Sequence, residues 1–346
     1  MSSTKIKLGV IGYGNSAKNF HLPLITHIPE IEVYAILQRT PPAPDAKPGE
    51  HCTVDFPAAK HFTDVDSFFA DDEIELVLVA VAAMHYEYVK RALLEGKNVI
   101  VEKAFTTTSA EADDLIQTAK SVDKIVTVYH NRRFDGDFLT VQYLVKNGVL
   151  GDLIDFETHF DWDDPGWPSI WADEAHRDGA RGSAIDDWHT LILQYAAPEN
   201  QGLVVTIRST QIGPSTQPLR FLVRGRQGSY IKFHHDMQEA HVAGRQFSSP
   251  LDPEFGKEDL SHFGELTTTS MYDASFQALD ESGRQPRYVG KMPTVRGNWL
   301  GYYQNIARSL RGQEELIVTA EQGRGVIRLF ELARESARTG RSVSWS

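Results

Sequence analysis

The stretch Lys7-Leu8-Gly9-Val10-Ile11-Gly12-Tyr13-Gly14-Asn15-Ser16-Ala17 decides the fold of this chain. Its apolar start predicts a buried strand, and the residues that follow form a G-x-G-x-x-A pattern. The first glycine permits a tight turn, the second lets a pyrophosphate approach the backbone, and the alanine allows close helix packing. Free N–H groups at the start of the helix attract that anion. We therefore predict a dinucleotide site built on Gly12, Tyr13, Gly14, Asn15, Ser16 and Ala17.

Length, charge and cysteine content limit the class of protein. A chain of 346 residues favours two domains. The formal net charge of −12 argues against nucleic acid or an anionic membrane as a partner, because both require a basic surface. The longest uncharged apolar run, 76–84, is too short to cross a bilayer. Cys52 is the only cysteine, so no intrachain disulfide can form. We expect a cytoplasmic protein that has no signal peptide.

Strands and helices alternate in the first part of the chain. Apolar runs at 31–37, 76–81, 98–101 and 125–129 read as strands, and amphipathic stretches separate them. Thr108 and Glu111 form a capping box at the start of one helix. This order predicts an α/β fold, a Rossmann domain over residues 1–130 whose parallel sheet binds ligands at the carboxyl ends of its strands.

The second half has a different pattern. Apolar and polar residues alternate over several short segments, which predicts half-exposed strands at 154–160, 191–195, 203–210, 219–224 and 229–233. We therefore predict a second domain over residues 131–346, an α+β unit with a largely antiparallel open sheet. Thr319 and Gln322 cap a last helix. Its apolar stripe is expected to lie in the core and comprises Val326, Phe330, Ala333 and Ala337.

The end of the second strand indicates which dinucleotide binds. When the cofactor is NAD, an acidic residue is expected there to bind the ribose hydroxyls. The residues present are Gln38-Arg39-Thr40, with no acid. Arg39 is placed to meet a 2′-phosphate, with Gln38 and Thr40 as further donors. We therefore predict NADP, with NAD as the alternative; otherwise Arg39 is an arginine on a solvated loop.

Two polar side chains follow predicted strands at the ligand-binding edge. Lys103 stands one residue beyond the strand at 98–101, where it is a candidate proton donor or acceptor that Glu102 orients. The alternative is a surface lysine paired with Glu102. His85 lies in the turn after the strand at 76–81, where it either contacts the cofactor or caps the next helix.

Other candidates lie in the second half or at its start. Arg132 either binds a substrate oxygen or braces the domain junction. Trp162, Trp167 and Trp171 lie among aspartates, a composition that suits a polyhydroxylated ligand or a subunit interface equally. His189 and the His234-His235 pair lack further ligands at suitable spacing, so no metal site is predicted.

Several motifs together resemble the Gfo/Idh/MocA oxidoreductase family over nearly the whole chain. They are the fingerprint at 12–17, Glu102-Lys103, Asn131-Arg132-Arg133-Phe134, Gly148-x-x-Gly151 and Arg224-Gly225-x-x-Gly228-Ser229. The resemblance implies an NAD(P)-binding first domain and a second domain whose open sheet forms the substrate pocket and often a homodimer or higher homo-oligomer. It further implies hydride transfer on a small-molecule sugar, polyol or related carbonyl. Lys103 would then be the catalytic lysine.

The chain departs from the family pattern at three places. The proline after the lysine is Ala104, and the turn beside the nicotinamide is Val81-Ala82-Ala83-Met84, although His85 matches the family histidine. The family segment that carries a catalytic Asp and His is absent, so about thirty family residues are missing. The stretch around His189 reads as the next strand; in a rival alignment Asp186 matches the family Asp.

The missing segment leaves several interpretations open. His189 is a candidate substitute acid, and the loop from Trp162 to Trp171, or another subunit, is expected to fill the space. The protein is otherwise a cofactor-binding scaffold or regulator, or a non-redox enzyme that reuses the pocket. A mis-assigned splice junction would also explain the gap.

Overall fold

The computed structural model describes residues 5–81, 84–162, 188–197, 201–211 and 213–345. The chain forms two compact units, the first comprising Met1–Phe134, Gln238–Phe255 and Asn298–Ser346, and the second Asp135–Met237 and Gly256–Gly297. This division differs from a single boundary after residue 130, because the last two helices of the chain pack within the first unit.

The first unit contains a six-stranded parallel sheet. The strand order is β3-β2-β1-β4-β5-β6, which places β1 beside β4, where the direction of strand addition reverses. Every residue of β4 is buried, as expected for a parallel sheet covered on both faces. The predicted Rossmann sheet is confirmed, and its strands are β1 (Ile6–Ile11), β2 (Ile31–Leu37), β3 (Lys60–Phe62), β4 (Leu76–Val79), β5 (Asn98–Val101) and β6 (Val126–Val128).

The starting points of two helices were predicted from the sequence. Both predicted capping boxes are present, at Thr108 with Glu111 and at Thr319 with Gln322. A π-helical turn, Ala17–His21, leads directly into α1, and a 3₁₀ turn spans Asn131–Phe134. The α-helices are α1 (Leu22–Ile25), α2 (Cys52–Asp55), α3 (Val65–Phe69), α4 (His85–Leu94), α5 (Ser109–Ser121), α6 (Gly136–Lys146), α7 (Gln238–Ala243), α8 (Leu300–Leu310) and α9 (Ala320–Thr339).

The buried face of α9 is not the predicted one. Val326 and Phe330 are 41% and 45% exposed, whereas Gly323 and Ile327 are buried against the sheet and its flanking helix. A Cβ atom on Gly323 would come within 2.7 Å of the Val128 side chain, so the small residue marks the side of closest approach. Close packing at Gly323 therefore sets the rotation of the helix, and the larger apolar stripe faces outward.

The second unit contains an eight-stranded sheet in the order β13-β14-β12-β11-β10-β7-β9-β8. Neighbouring strands are antiparallel except β7 and β9, so the predicted mostly antiparallel sheet is confirmed. Val141 and Leu144 of α6 pack against Phe221 and Val223 in a separate core. The strands are β7 (Leu153–Asp161), β8 (Trp188–Gln194), β9 (Val204–Thr210), β10 (Leu219–Gly225), β11 (Gly228–Phe233), β12 (Gly264–Thr268), β13 (Gln277–Asp280) and β14 (Arg287–Met292).

The segment around His189 is the edge strand β8, as the sequence predicts, and it pairs with β9 along its whole length. Its residues alternate between exposed and half-buried, with Trp188 and Ile192 on the exposed side. Within the parts of the chain that the structure describes, no helix combines the length and apolar character needed to cross a membrane.

Candidate active site

The loops after β1, β2, β4 and β5 leave the parallel sheet at one edge. Backbone hydrogen bonds continue past the strand ends: Gly12 N donates to Leu37 O at 3.0 Å, and Ala80 N donates to Ile11 O at 2.9 Å. Glu102 N likewise donates to Val79 O at 3.1 Å. Ligands bind open parallel sheets at this edge, where the strand order reverses. The residues predicted to bind the cofactor lie on these loops, at the sheet edge where ligands bind folds of this kind.

The glycine-rich loop after β1 has the geometry that a dinucleotide phosphate needs. Gly12 has φ of +95°, and a Cβ atom there would come within 2.7 Å of the Val81 side chain. A Cβ atom on Gly14 would meet nothing within 4 Å, so open space lies beside its backbone. Lys18 N donates to Gly14 O at 3.1 Å and begins the helical turn. The loop thus fits a pyrophosphate group that lies against Gly14.

Two side chains of this loop are already engaged by the protein. The Tyr13 hydroxyl donates to the Asp55 carboxylate, and burial together with that carboxylate raises the tyrosine pKa. The Asn15 carbonyl oxygen accepts a hydrogen bond from Asn19. Both residues are therefore available to a cofactor chiefly through their backbone groups.

Glu102 lies at the centre of a buried polar network. Its Oε1 accepts hydrogen bonds from the Ser16 hydroxyl and, at 2.9 Å, from His21 Nε2. The other ring nitrogen of His21, Nδ1, lies 2.7 Å from the hydroxyl of Tyr303, which is fully buried. Burial alone raises the pKa of Glu102, but the bonds from His21 and Ser16 and the charge of Lys103 lower it to about 2. Glu102 is therefore ionised at neutral pH.

His21 and Tyr303 escaped the sequence analysis. His21 lies four residues beyond Ala17, on the helical turn that follows the fingerprint, and it is fully buried. The burial of His21 could have been predicted from its spacing, because a residue four positions beyond Ala17 falls on the helix face that packs toward the sheet. Tyr303 comes from α8, more than 280 positions later, and no local pattern connects it to the loop.

Lys103 is held through its backbone. Its N–H donates to Glu102 Oε2 at 3.0 Å, whereas its side chain is exposed. Among the residues that the structure describes, none forms an ion pair with its ammonium group, so the predicted alternative of a Lys103–Glu102 surface pair is not observed. Glu102 fixes the position of the lysine backbone and leaves the ammonium group free to reach a ligand.

His85 joins two loops of the sheet edge. Its Nε2 lies 2.6 Å from Val81 O and its Nδ1 lies 2.6 Å from Ala104 O. The N-cap of α4 is Met84, which has a left-handed backbone, so His85 does not cap the helix as one of the alternatives predicted. The ring instead ties the turn after β4 to the turn after β5. Ala82, predicted beside the nicotinamide, lies outside the described residues.

The loop after β2 presents an unpaired arginine. Arg39 is exposed and has no hydrogen bond or ion pair with any residue in the described ranges, and residues 38–40 include no carboxylate. Gln38 Oε1 accepts a hydrogen bond from Cys52 N at 3.0 Å. The carbonyls of Gln38 and Thr40 each accept a bond of 2.9 Å, from His61 and His51 respectively. The backbone around Arg39 is therefore fixed on both sides.

Arg132 forms an ion pair with Glu239 and lies over the ring of Trp299, 5.6 Å from its centre. All three residues belong to the first unit. These contacts engage the guanidinium group within that unit, and they test neither of the predicted roles, which were substrate binding and bracing of the domain junction.

The second unit holds other candidates. Trp162 stacks on His235 with ring centres 5.0 Å apart. His159 lies between two carboxylates, with Nε2 2.7 Å from Glu157 and Nδ1 3.2 Å from Asp161. A cavity of about 260 Å³ opens beside this group. Trp167 and Trp171 lie outside the described residues, so their predicted contribution to a substrate site is not tested.

Two family models match the chain. The model described as "Oxidoreductase family, NAD-binding Rossmann fold" matches residues 6–130, and "Oxidoreductase family, C-terminal alpha/beta domain" matches residues 174–345. An uncharacterized oxidoreductase of Schizosaccharomyces pombe, C115.03, is 31% identical over 98% of this chain and 99% of its own. That alignment extends over 376 positions against 346 residues here, so the relative contains residues that this chain lacks.

Two bacterial proteins are also similar. The scyllo-inositol 2-dehydrogenase (NADP(+)) IolW of Bacillus subtilis is 30% identical, with 98% of this chain and 95% of that protein covered. The solved structure of an oxidoreductase, yvaA, of the same species has a TM-score of 0.82 at 29% identity, with 99% of each chain covered. The matched models span both units, and the chain therefore belongs to the Gfo/Idh/MocA oxidoreductase family.

Proposed function

We propose that this protein is an NADP-dependent oxidoreductase that acts on a small hydroxyl or carbonyl substrate of the sugar or polyol class. The observation that carries the cofactor assignment is the exposed Arg39, which has no hydrogen bond or ion pair with any described residue and lies in a stretch, 38–40, without a carboxylate. A guanidinium group binds a phosphate through paired N–H donors, whereas the ribose hydroxyls of NAD favour an acid. The similarity to an NADP(+)-dependent scyllo-inositol dehydrogenase supports the same assignment.

Each residue has a defined task in this proposal. The backbone from Gly12 to Ser16 binds the pyrophosphate, and Arg39 binds the 2′-phosphate. A dinucleotide held there would supply or accept a hydride. Carbonyl reduction also places a proton on oxygen, and the Lys103 ammonium donates it; in the oxidative direction the neutral amine accepts it. Glu102 and His21 act as positioning residues that fix the backbone at Lys103.

A titration tests the cofactor assignment. NADPH and NADH are added separately to the wild-type protein, and intrinsic tryptophan fluorescence reports binding. We expect NADPH to bind more tightly, and Arg39→Ala to remove most of that preference. Arg338→Ala, an exposed arginine on α9, is the matched control and should leave both affinities unchanged. Equal affinity of the wild type for NADPH and NADH would refute the assignment.

A second candidate function is a cofactor-binding scaffold or regulator. The sequence contains no Asp-x-Gly-x-His segment, and a full-length relative contains residues that this chain lacks. A turnover screen over sugars, polyols and ketones separates the two functions. NADPH binding without turnover of any substrate would favour the scaffold, whereas turnover that depends on Lys103 would favour the enzyme.

We also propose that the protein is a cytoplasmic homo-oligomer that assembles through the sheet of the second unit. Trp188 and Ile192 on the edge strand β8 are 59% and 64% exposed. Large apolar side chains grouped on one strand face mark protein–protein contact sites when they form a patch. Light scattering of the wild type and of Trp188→Asp measures the oligomeric state, and a monomeric wild type would refute this assembly.

A further inference from the structure

Three side chains of types that bind metal ions lie together beside the β2 loop. His51 and Cys52 are buried and His61 is half-buried, and one nitrogen or sulfur atom from each lies within 4.8 Å of the others. They follow the pattern His-Cys-x₈-His, which the sequence analysis did not consider as a metal site. The proposed catalytic residues do not include any of them, so the cluster needs its own explanation.

The hydrogen bonds of the two imidazoles fix their tautomers. His51 Nε2 lies 2.9 Å from Thr40 O and His61 Nε2 lies 2.9 Å from Gln38 O. A carbonyl oxygen only accepts, so each Nε2 carries a proton, and in the neutral ring Nδ1 then carries a lone pair. For His51 the N–H of Thr53 donates to that lone pair. Histidines that ligate metals commonly donate the other ring N–H to a backbone carbonyl in this way. Both rings are therefore arranged as metal-ligating histidines are.

The thiol completes the donor set. Cys52 Sγ lies 4.0 Å from His51 Nδ1, and the two imidazole rings stand perpendicular with centres 4.8 Å apart. In a tetrahedral zinc site, bond lengths of about 2.0–2.3 Å bring neighbouring ligand atoms to about 3.5 Å of one another. Small side-chain movements would bring the three ligand atoms from within 4.8 Å of one another to the spacing of a zinc site. His51 Nδ1 also contacts the Thr53 hydroxyl at 2.9 Å and accepts a bond of 3.2 Å from Thr53 N, and the metal would replace both.

We propose that His51 Nδ1, Cys52 Sγ and His61 Nδ1 bind one Zn²⁺ ion and leave a fourth coordination position to water. One sulfur and two nitrogen donors are a ligand set that zinc accepts. Binding breaks the S–H bond of Cys52 and forms an S–Zn bond, and the proton passes to solvent. Burial raises the pKa of the free thiol to about 11, so without metal it is protonated and unreactive.

The site would also act on the cofactor loop. The Nε2–H groups of the two ligands hold the carbonyls on either side of Arg39, so a bound ion would restrict the loop that carries this arginine. This consequence rests on the proposed NADP function, whereas the metal site itself does not. Zinc is expected to tighten NADPH binding several-fold; an unchanged affinity at full zinc occupancy would refute the coupling only.

Cobalt substitution gives a direct test, because Cys52 is the only cysteine of the chain. Co²⁺ is titrated into the tag-free, full-length protein, and a thiolate-to-cobalt charge-transfer band is followed in the near ultraviolet. We expect the band to saturate at one equivalent and to disappear when Zn²⁺ displaces the cobalt. Absence of the band, or a band that stays in Cys52→Ser, would overturn the proposal.

Matched variants distinguish the site from unspecific binding. Cys52→Ala and His61→Gln should each lower the affinity for Zn²⁺ more than about 100-fold, since loss of an outer-shell partner alone costs 10–100-fold. His27→Gln, another half-buried histidine of the first unit, is the control and should bind like the wild type. Zn²⁺ should raise the melting temperature of the wild type but not of Cys52→Ala. Equal zinc affinity in wild type and His61→Gln would refute the site.

Discussion

The buried carboxylate of Glu102 should make the stability of the protein depend on pH in a defined way. Its pKa is about 2 in the folded chain against an ordinary value of 4.5. A depressed folded pKa contributes stability that is complete above pH 4.5 and is lost as the pH falls toward 2. At about 1.4 kcal/mol per pKa unit, the full contribution is about 3 kcal/mol, of which about 2 kcal/mol is lost between pH 7 and pH 3.

The substitution Glu102→Gln isolates this contribution. It keeps the size of the side chain and one acceptor oxygen, which can still accept from His21 and Ser16, but it removes the charge. The second oxygen, which accepts from Lys103 N, becomes an NH2 group that cannot accept, so the change of the difference with pH, rather than its size at one pH, reports the charge. Urea unfolding of the wild type and the variant is measured at pH 7 and at pH 3. We expect the difference in free energy of unfolding to be about 3 kcal/mol at pH 7 and to shrink by about 2 kcal/mol at pH 3.

An exposed carboxylate serves as the control for Glu102. Glu335→Gln removes an exposed carboxylate from α9 and should change stability by less than about 0.5 kcal/mol. If the gap between wild type and Glu102→Gln is the same at both pH values, Glu102 does not titrate as the network requires. The reasoning from His21 and Ser16 would then be wrong.

Three other changes have definite expected results. Lys103→Met should abolish most turnover yet leave NADPH affinity within a few-fold, because the lysine backbone rather than its side chain is fixed; unchanged turnover would make Lys103 structural. Gly323→Val should destabilise the protein by about 1–3 kcal/mol in urea unfolding, since its side chain would strike Val128. Phe330→Ser, on the exposed side of the same helix, should cost less than about 1 kcal/mol.

Local patterns were sufficient to predict most elements of the fold. The strand before the fingerprint, the capping boxes of α5 and α9 and the existence of β7 are set by neighbouring residues, and each was predicted correctly. The predicted alternation of burial within β7 was wrong, because Ile154 is exposed and His159 is buried. The face that α9 buries was predicted wrongly. The apolar stripe that includes Phe330 competes for the buried side of the helix with the close approach at Gly323. Which contact prevails depends on Val128, and no periodicity in the helix reports the position of that residue.

The candidate site shows the same limit. Glu102, Lys103 and Arg39 follow strand ends, and a reader of the sequence can place them at one edge of a parallel sheet. The Ser16–Glu102–His21–Tyr303 network cannot be read in this way, since its members come from three segments that are far apart in the sequence. Of the two roles predicted for His85, the helix cap was wrong, and the contacts that it makes instead were not foreseeable because its two carbonyl partners lie on different loops.

The absence of the family Asp and His is expected to affect proton transfer more than cofactor binding. In the proposed function, phosphate binding uses the backbone of the loop at 12–16 and the side chain of Arg39, all within the first unit, and none of these depends on the missing Asp and His. Proton transfer by a positioned group typically adds about 10²–10⁴-fold to the rate, and the proposed function assigns that role to Lys103. Under that proposal, the absence of the family acid is expected to slow turnover without weakening the cofactor site. It follows that NADPH affinity and turnover respond to different substitutions, Arg39→Ala for the first and Lys103→Met for the second, and a protein that binds NADPH normally but turns over slowly is the expected phenotype of this chain.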